Sequence, residues 1–416
     1  MNRTQIGTIA ALFFILCFKG SIVSLFVPAG GVPLEVYHFR IADSRDIAEI
    51  IPGGTAGIIR KDLSRLIGFA VRDNDGFERR NHAEGRKLTA DLRAPSAETL
   101  VTTTPYLPAI DEFPGYYRLL SILLESLRGM EIRWRWFVLR LVQFLFMSVA
   151  CLMILQIAGL IGMNGWMAIV WSGYVFVSGP GFGLDGILLG IHAILSCFWA
   201  FFIWRSLVYI RSHHIFDAAL LIMTAYALSS IHLHGFVALV VSALVFIISL
   251  ISRSDKNRLI VSVFVIVALA GIAIWVFRGI YDQDFISEEY VKANSVTEQL
   301  FSRSTWNMPP STVLPYLWSA ITLIGLIGLI QTVRSGGSTG FLYLVIVPIF
   351  IVSGVVTVID PDIFMAWGAL GPPFALIMGL GLSSMTVRYR GFWIILVIMV
   401  FADLNDLLHQ IIRIFS

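Results

Sequence analysis

Apolar residues along this chain fall into long blocks that short polar segments separate. Most blocks run for about 18–25 residues, the length of α-helix that crosses the ~30 Å hydrocarbon core of a bilayer. The pattern therefore predicts an all-α integral membrane protein with about 11 transmembrane helices. We place the spans at residues 6–27, 136–161, 165–182, 184–209, 214–231, 235–252, 258–277, 312–333, 340–358, 363–384 and 391–413.

Three of these predicted spans contain charged, polar or helix-breaking residues. Arg3 before an apolar run is typical of a secretory signal peptide, but the run contains Lys19 and lacks a small-x-small cleavage site. We therefore predict an uncleaved first span, with a cleaved signal as the alternative. The sequence Ser178-Gly-Pro-Gly predicts a helix end and a chain reversal. The last span is polar in its second half, from Asp403 onwards.

The basic residues of the short loops set the orientation. If the N-terminus is cytoplasmic and the spans alternate, the outer loops around 179–185, 232–235 and 359–363 contain no Lys or Arg. The short cytoplasmic loops then hold Arg205, Arg211, Arg253, Lys256, Arg258, Arg334, Arg388 and Arg390. Such asymmetry follows the positive-inside rule. We therefore expect a multi-pass protein of a bacterial inner (plasma) membrane with its N-terminus in the cytoplasm.

This alternation divides the chain into five parts. They are the first transmembrane helix (1–27), an extracytoplasmic loop domain with short helices (28–135), transmembrane helices 2–7 (136–277), a second extracytoplasmic loop (278–311) and transmembrane helices 8–11 (312–416). The loop domain holds 15 of the 30 basic and 15 of the 27 acidic residues. Apolar residues recur there at helical spacing in Leu63–Ala70 and Leu119–Leu127, so we expect it to fold.

The composition is typical of a membrane protein and argues against several classes of function. Hydrophobic residues make up 57% of the chain and charged residues 14%, whereas soluble domains are about 25% charged. A net charge of +3 is too small to indicate a nucleic-acid partner. The sequence contains no P-loop, GxSxG, HExxH or Rossmann glycine motif. Its three cysteines lie in apolar blocks without metal-ligand spacing, so the cofactor stays unknown and a divalent cation is the one option left open.

Acidic residues follow the first span closely. Asp43, Asp46 and Glu49 are spaced three apart, so a helix would place them on one face. A carboxylate held just above the bilayer is suited to act as a general base or to bind a divalent cation. The neighbouring Arg40 and Arg45 are suited to bind a phosphate. A solvated helix face with ordinary salt bridges is the alternative.

Two further polar clusters are expected at the outer surface. Pro114 and Gly115 predict the start of a helix that carries Tyr116 and Tyr117 in its first turn. The turn His232-Leu-His234 is suited to contact an anionic headgroup or a metal ion, although two histidines alone are a weak metal signal because zinc sites need three or four ligands. A polar turn at the interface is the alternative.

A basic and aromatic collar precedes the second span. It consists of Arg133, Trp134, Arg135, Trp136 and Arg140. We interpret it as an interfacial anchor, with rings at headgroup depth and arginine side chains reaching out to the interface. A direct contact with a lipid phosphate is the alternative.

The order of these features resembles the membrane glycosyltransferases of the GT-C fold. This group depends on polyprenyl- or dolichyl-phosphate sugars and includes protein mannosyltransferases and aminoarabinose transferases. The resemblance rests on a first span, then Asp43 and Asp46, then the motif Pro114-Gly-Tyr-Tyr-Arg-Leu-Leu120, and then Gly129 and Arg140-Leu141 before and within the next span. It covers the span order of most of the chain, and its residue-level motifs lie within the first 141 positions.

The resemblance implies a GT-C-like fold and a definite activity. A sugar would move from a polyprenyl-phosphate donor to an acceptor outside the cytoplasm, with the lipid bilayer and the lipid-linked donor as partners. Asp43 or Asp46 would activate the acceptor. The implied substrate-binding residues are Arg40, Tyr116, Tyr117, His232, His234 and Arg303.

Two other functions stay open. The family often has a His-Pro-Pro-x-Tyr run where this chain has Glu112-Phe113-Pro114-Gly115. This departure keeps a non-catalytic GT-C-like partner protein as one alternative. A transporter or flippase for lipid-linked sugars is the other, although the paired repeats typical of transporters are not found in the sequence.

Overall fold

The computed structural model describes the helical core of the chain and parts of its outer loop domain. The described residues are 58–60, 100–102, 114–127, 129–161, 166–178, 192–231, 235–251, 314–334 and 363–415, with the isolated positions 7, 10, 14, 18, 20, 21, 346 and 349. The remaining predicted spans and the second outer loop lie outside the described residues.

Nine α-helices and one small sheet make up the regular structure of the described ranges. The helices are α1 (Pro114–Ser126), α2 (Ile132–Ile161), α3 (Trp166–Ser178), α4 (His192–Ser212), α5 (Ile215–Ile231), α6 (Gly235–Ile251), α7 (Leu314–Arg334), α8 (Ile363–Arg388) and α9 (Trp393–Phe415). A short 3-10 helix, Arg390–Phe392, joins α8 to α9. In the N-terminal block, the described residues 7, 10, 14, 18, 20 and 21 are also helical.

Three segments are long and apolar enough to cross a membrane, as judged by length and composition over the described residues. They are Trp134–Ile161, His192–Ser212 and Leu370–Arg388. All three overlap predicted spans, so the described part has the make-up of an all-α membrane protein. The total of about 11 spans and the cytoplasmic N-terminus stay predictions.

Local sequence signals correctly predicted several element ends. Helix α1 begins at Pro114, whose fixed φ and missing N–H suit the first turn of a helix. Helix α3 ends at Ser178, immediately before the Gly-Pro-Gly sequence.

The outer loop domain also contains a feature that the prediction of short helices missed. Strand β1 (Ile58–Arg60) pairs antiparallel with β2 (Leu100–Thr102), with Ile59 opposite Val101. Branched side chains favour strands. Three-residue strands separated by forty residues give no usable periodicity, which explains why the pattern did not reveal them.

Helix α8 is the centre of the described bundle. It packs against α7 on one side and against α3, α4 and α2 on the other. The chain then continues outward through α4, α5 and α6, each against the next. Helix α1 lies against α5 and α2.

Small residues allow α8 to approach its neighbours closely. A β-carbon on Gly328 of α7 would collide with the carbonyl oxygen of Gly381 of α8, and one on Gly381 would collide with that of Gly325. On the opposite side, a β-carbon on Gly379 would collide with Ser172 of α3. Membrane helices have little hydrophobic drive to associate, so such close backbone packing supplies much of their attraction.

The bundle is apolar on the outside and carries polar groups inside. Leu145, Met223 and Phe401 have 61%, 65% and 67% of their surface exposed, whereas Gln143 and Ser172 are fully buried. A soluble helix turns its apolar face to the core. Here the core is mainly apolar as well, and helices that are apolar on all sides are expected where lipid surrounds the bundle.

Candidate functional site

A buried polar stripe runs along the first turns of α2. Arg135, Trp136, Arg140 and Gln143 lie on one face of the helix, where the two arginines are 6% and 3% exposed and Gln143 is fully buried. Buried charges are costly within a membrane-spanning segment and therefore mark functional positions. We define Arg135, Arg140, Gln143 and Tyr116 of α1 as the α2 polar site.

This geometry corrects the interpretation of the collar as an interfacial anchor. Trp134 is half exposed, as an anchor requires. Arg135, Trp136 and Arg140 point instead into the protein, so their side chains do not extend to the lipid surface. The sequence itself indicates this buried face, because Trp136, Arg140 and Gln143 are spaced by four and three residues.

Helix α1 contributes the tyrosine of the site. Tyr116, Leu120 and Leu124 recur every four residues and are buried, while Ile122 is 69% exposed. This periodicity holds one face of α1 against the bundle. The Nε2 of Gln143 donates a hydrogen bond of 3.3 Å to the hydroxyl oxygen of Tyr116, which fixes the start of α1 to the N-terminal half of α2.

The amide of Gln143 has unused capacity. Its Oε1 is buried, and no group among the residues that the structure describes donates to it. Amide orientation is assigned from the hydrogen-bond network, so the inward-facing end can present either an acceptor or a donor. A buried amide with an open end beside Arg140 is well placed to bind a polar ligand.

The first hydrophobic block meets α2 at the same level. The ring of Phe144 lies so close to Gly20 that a β-carbon there would collide with it. Phe144 follows Gln143 directly in α2. Gly20 of the first predicted span thus packs against α2 one residue beyond Gln143.

The predicted site residues divide into two groups. Tyr116 is buried within the α2 polar site, and Tyr117 follows it in α1, although the side chain of Tyr117 lies outside the described residues. The others also lie outside the described residues: Arg40, Asp43, Asp46, His232, His234 and Arg303. Their grouping around one lipid phosphate stays a prediction.

A second polar centre lies at the opposite end of the bundle. Arg205 of α4 forms an ion pair with Asp217 of α5, and Ser212 donates a 2.5 Å hydrogen bond to the same carboxylate. The guanidinium carbon of Arg205 also lies 5.1 Å from the ring centroid of Trp204. Arg205 was predicted as a cytoplasmic loop residue, but it lies within α4 and is 8% exposed. Its positive charge is matched by Asp217, so we assign this pair a structural role.

A third polar contact joins α3 to α9. The hydroxyl of Tyr174 donates a 2.8 Å hydrogen bond to Oδ2 of Asp403. One of the polar residues in the second half of the last predicted span thus contributes to helix packing, because Asp403 faces the bundle. Within the described residues, no group of three or more His, Cys, Asp or Glu side chains is placed to hold a metal ion.

No family model matches the chain, and no curated protein matches it.

Proposed function

We propose that this chain is a membrane glycosyltransferase of the GT-C type. It transfers a sugar from a polyprenyl-phosphate donor to an acceptor on the extracytoplasmic side. The observation that carries the proposal is the α2 polar site, in which two arginines and an amide are buried in the half of α2 that the charge distribution assigns to the outer leaflet.

The chemistry of the donor fits such a site. A polyprenyl phosphate presents its anionic group at headgroup depth with its chain in the lipid. Guanidinium groups bind phosphate oxygens through paired hydrogen bonds. Removal of water by burial strengthens these contacts, and fixed donors require no reorganisation as charge develops. Arg140 and Arg135 are therefore proposed to bind the donor phosphate.

The reaction then needs one base. A carboxylate of Asp43 or Asp46 accepts the proton of the acceptor hydroxyl or amine, whose oxygen or nitrogen forms a bond to the anomeric carbon of the sugar. The bond from that carbon to the phosphate oxygen breaks, and the electron pair stays on the polyprenyl phosphate. Arginines stabilise the negative charge on this leaving group.

The remaining expected residues have supporting roles in this scheme. Arg40, His232, His234 and Arg303 are proposed to contact the donor headgroup from the outer loops. Tyr116 orders the helix start through Gln143, and Tyr117 lies in the same first turn. A divalent cation, held by carboxylate oxygens, is an option that a chelator can test directly.

The experiment uses the full chain in liposomes with a panel of radiolabelled polyprenyl-phosphate sugars and an acceptor extract. Asp43→Asn or Asp46→Asn should lower the transfer rate about 100-fold or more, as expected for loss of a general base. Arg140→Gln should raise the donor concentration needed for half-maximal rate. Arg388→Gln changes an exposed arginine at the last residue of α8 and should leave transfer unchanged.

Three results would contradict this function. Transfer at the wild-type rate in both aspartate variants removes the proposed base. Equal effects of Arg140→Gln and Arg388→Gln remove the proposed phosphate site. Movement of the lipid-linked sugar across the bilayer without any transfer product identifies a transporter instead.

A further inference from the structure

Helix α4 begins with a partly buried histidine. His192 is the first residue of the helix, and its Nδ1 atom is buried, so this side of the imidazole ring faces the protein. The residue lies inside a predicted membrane span. An ionisable side chain in such a segment is costly in lipid, and it therefore marks a candidate functional position.

Contacts between α2 and α4 place His192 at the depth of the α2 polar site. The Nη2 atom of Arg211, one residue before the end of α4, donates a 3.2 Å hydrogen bond to the carbonyl oxygen of Leu160, one residue before the end of α2. The two helices also pack along their lengths, so they run in the same direction. Residues 51 apart therefore lie at similar depth. The counterpart of His192 is Leu141, which lies between the second arginine and the glutamine of the α2 polar site.

The packing of α1 supports this placement. Helix α4 packs against both α2 and α5, and α1 packs against the same two helices. Tyr116 of α1 accepts the hydrogen bond from Gln143 at this depth. The Oε1 atom of Gln143 is buried, and no donor to it is found among the described residues. The first turn of α4 thus begins at the depth of an amide with an open end and of the buried guanidinium of Arg140.

The start of α4 adds hydrogen-bond donors to those of α2. The first N–H groups of a helix have no intrahelical acceptor and lie at the positive end of the helix dipole, so helix starts bind anions. A neutral imidazole donates one further hydrogen bond. Neither α2 nor α4 contains an acidic residue. The two helices therefore offer donors and positive charge at one depth, without a carboxylate of their own to neutralise them.

We propose that His192 and the first turn of α4 bind the phosphate of the lipid-linked donor together with Arg140 of α2. The imidazole and the N–H groups of α4 donate to phosphate oxygens from one side, and the guanidinium donates from the other. His192 thereby becomes a substrate-binding residue of the proposed transferase, on which this inference rests. Donors from two helices define the position of the phosphate better than donors from α2 alone.

The surface of α2 next to this site indicates a lipid-linked phosphate. Leu141 and Leu145 follow Arg140 along the helix, and they are 41% and 61% exposed. A polyprenyl chain can lie against these side chains while its phosphate reaches Arg140 and His192. A free phosphate gains nothing from this apolar surface. The two sources of phosphate are therefore expected to differ in affinity.

The test measures equilibrium binding of radiolabelled polyprenyl phosphate to the full chain in lipid nanodiscs. This probe carries no sugar, so binding is measured without transfer. His192→Ala should weaken binding about 10-fold or more, as expected for loss of a hydrogen bond to a charged group. His192→Asn should retain much of the affinity, because its amide N–H lies near the position of the imidazole Nδ1. His214→Ala changes an exposed histidine at the α4–α5 turn and should leave binding unchanged. Thermal unfolding in detergent verifies the fold of each variant.

Wild-type affinity in His192→Ala overturns the inference, and so does equal weakening by His192→Ala and His192→Asn. Displacement of the probe by an equimolar amount of inorganic phosphate overturns the assignment to a lipid-linked phosphate. Binding that depends on Arg140 and His192, with no transfer product from any donor, supports the phosphate site and contradicts the transferase. Normal transfer, with wild-type binding in His192→Ala, contradicts only the role of His192.

Discussion

At the scale of single residues, Arg205 and Asp403 each contact a defined partner on another helix. Arg205 and Asp217 form an ion pair between neighbouring helices, and Tyr174 satisfies one oxygen of Asp403. Burial of an ion removes its hydration. Removal of one partner therefore destabilises the protein more than replacement of both partners by apolar residues. In the α2 polar site, two arginines lie on one face of α2 with Gln143, which bonds to Tyr116.

The Arg205–Asp217 pair gives a test at this scale. Asp217→Asn leaves the guanidinium buried without its counter-charge and should destabilise the protein by about 3–5 kcal/mol. The double variant Arg205→Met with Asp217→Asn should recover much of that loss. Arg211→Ala, at an exposed arginine that bonds to the carbonyl oxygen of Leu160, should cost less than about 1 kcal/mol. Denaturant unfolding in detergent of wild type, Asp217→Asn, Arg205→Met and the double variant supplies the four free energies of a mutant cycle, and additivity of the two single changes would refute the coupling.

At the scale of helices, contact with α8 depends on the absence of side chains. Gly325 and Gly328 of α7 face Gly381 of α8, and backbone meets backbone there. Since hydrophobicity does not distinguish a neighbouring helix from lipid, shape complementarity between small residues decides which helices pair.

Gly328→Val tests this packing. The new side chain would collide with the backbone of Gly381, and we expect a loss of about 1–3 kcal/mol with separation of α7 from α8. Gly391→Ala is the matched control, because a β-carbon at Gly391 has no heavy atom within 4 Å; its effect should stay within about 0.5 kcal/mol. Thermal unfolding in detergent compares the two. Equal stability of both variants would show that the close approach is unimportant.

At the scale of the whole molecule, orientation assigns a side of the membrane to each polar site. If the N-terminus is cytoplasmic, as the basic loops predict, the α2 polar site lies at the outer side and the Arg205–Asp217 pair towards the cytoplasm. The transfer reaction that we propose requires this orientation.

Cysteine labelling in sealed cells checks that orientation. Met130→Cys, just before α2, should react with a membrane-impermeant maleimide from outside. His214→Cys and Tyr389→Cys, at the α4–α5 turn and after α8, should react only after permeabilisation. All three native residues are exposed, so access to the reagent is limited by the membrane. The reverse pattern would contradict the orientation and, with it, the proposed transferase.

The amino-acid sequence by itself determined the class of the protein and the position of its main helices. Apolar blocks of membrane length have few alternatives to a helix, because every backbone polar group needs a partner in lipid. Proline and glycine signals likewise determined the start of α1 and the end of α3, since both act on the local backbone.

Only the tertiary structure decided what the polar residues do. In the sequence, Arg140, Arg205 and Asp403 cannot be distinguished, because each is a charged residue in or near an apolar block. Asp217 of α5 pairs with Arg205, Tyr174 of α3 bonds to Asp403, and Tyr116 of α1 bonds to Gln143, which lies three residues after Arg140 in α2. Each of these contacts joins two different helices, and helical spacing indicates a face but never the element opposite it.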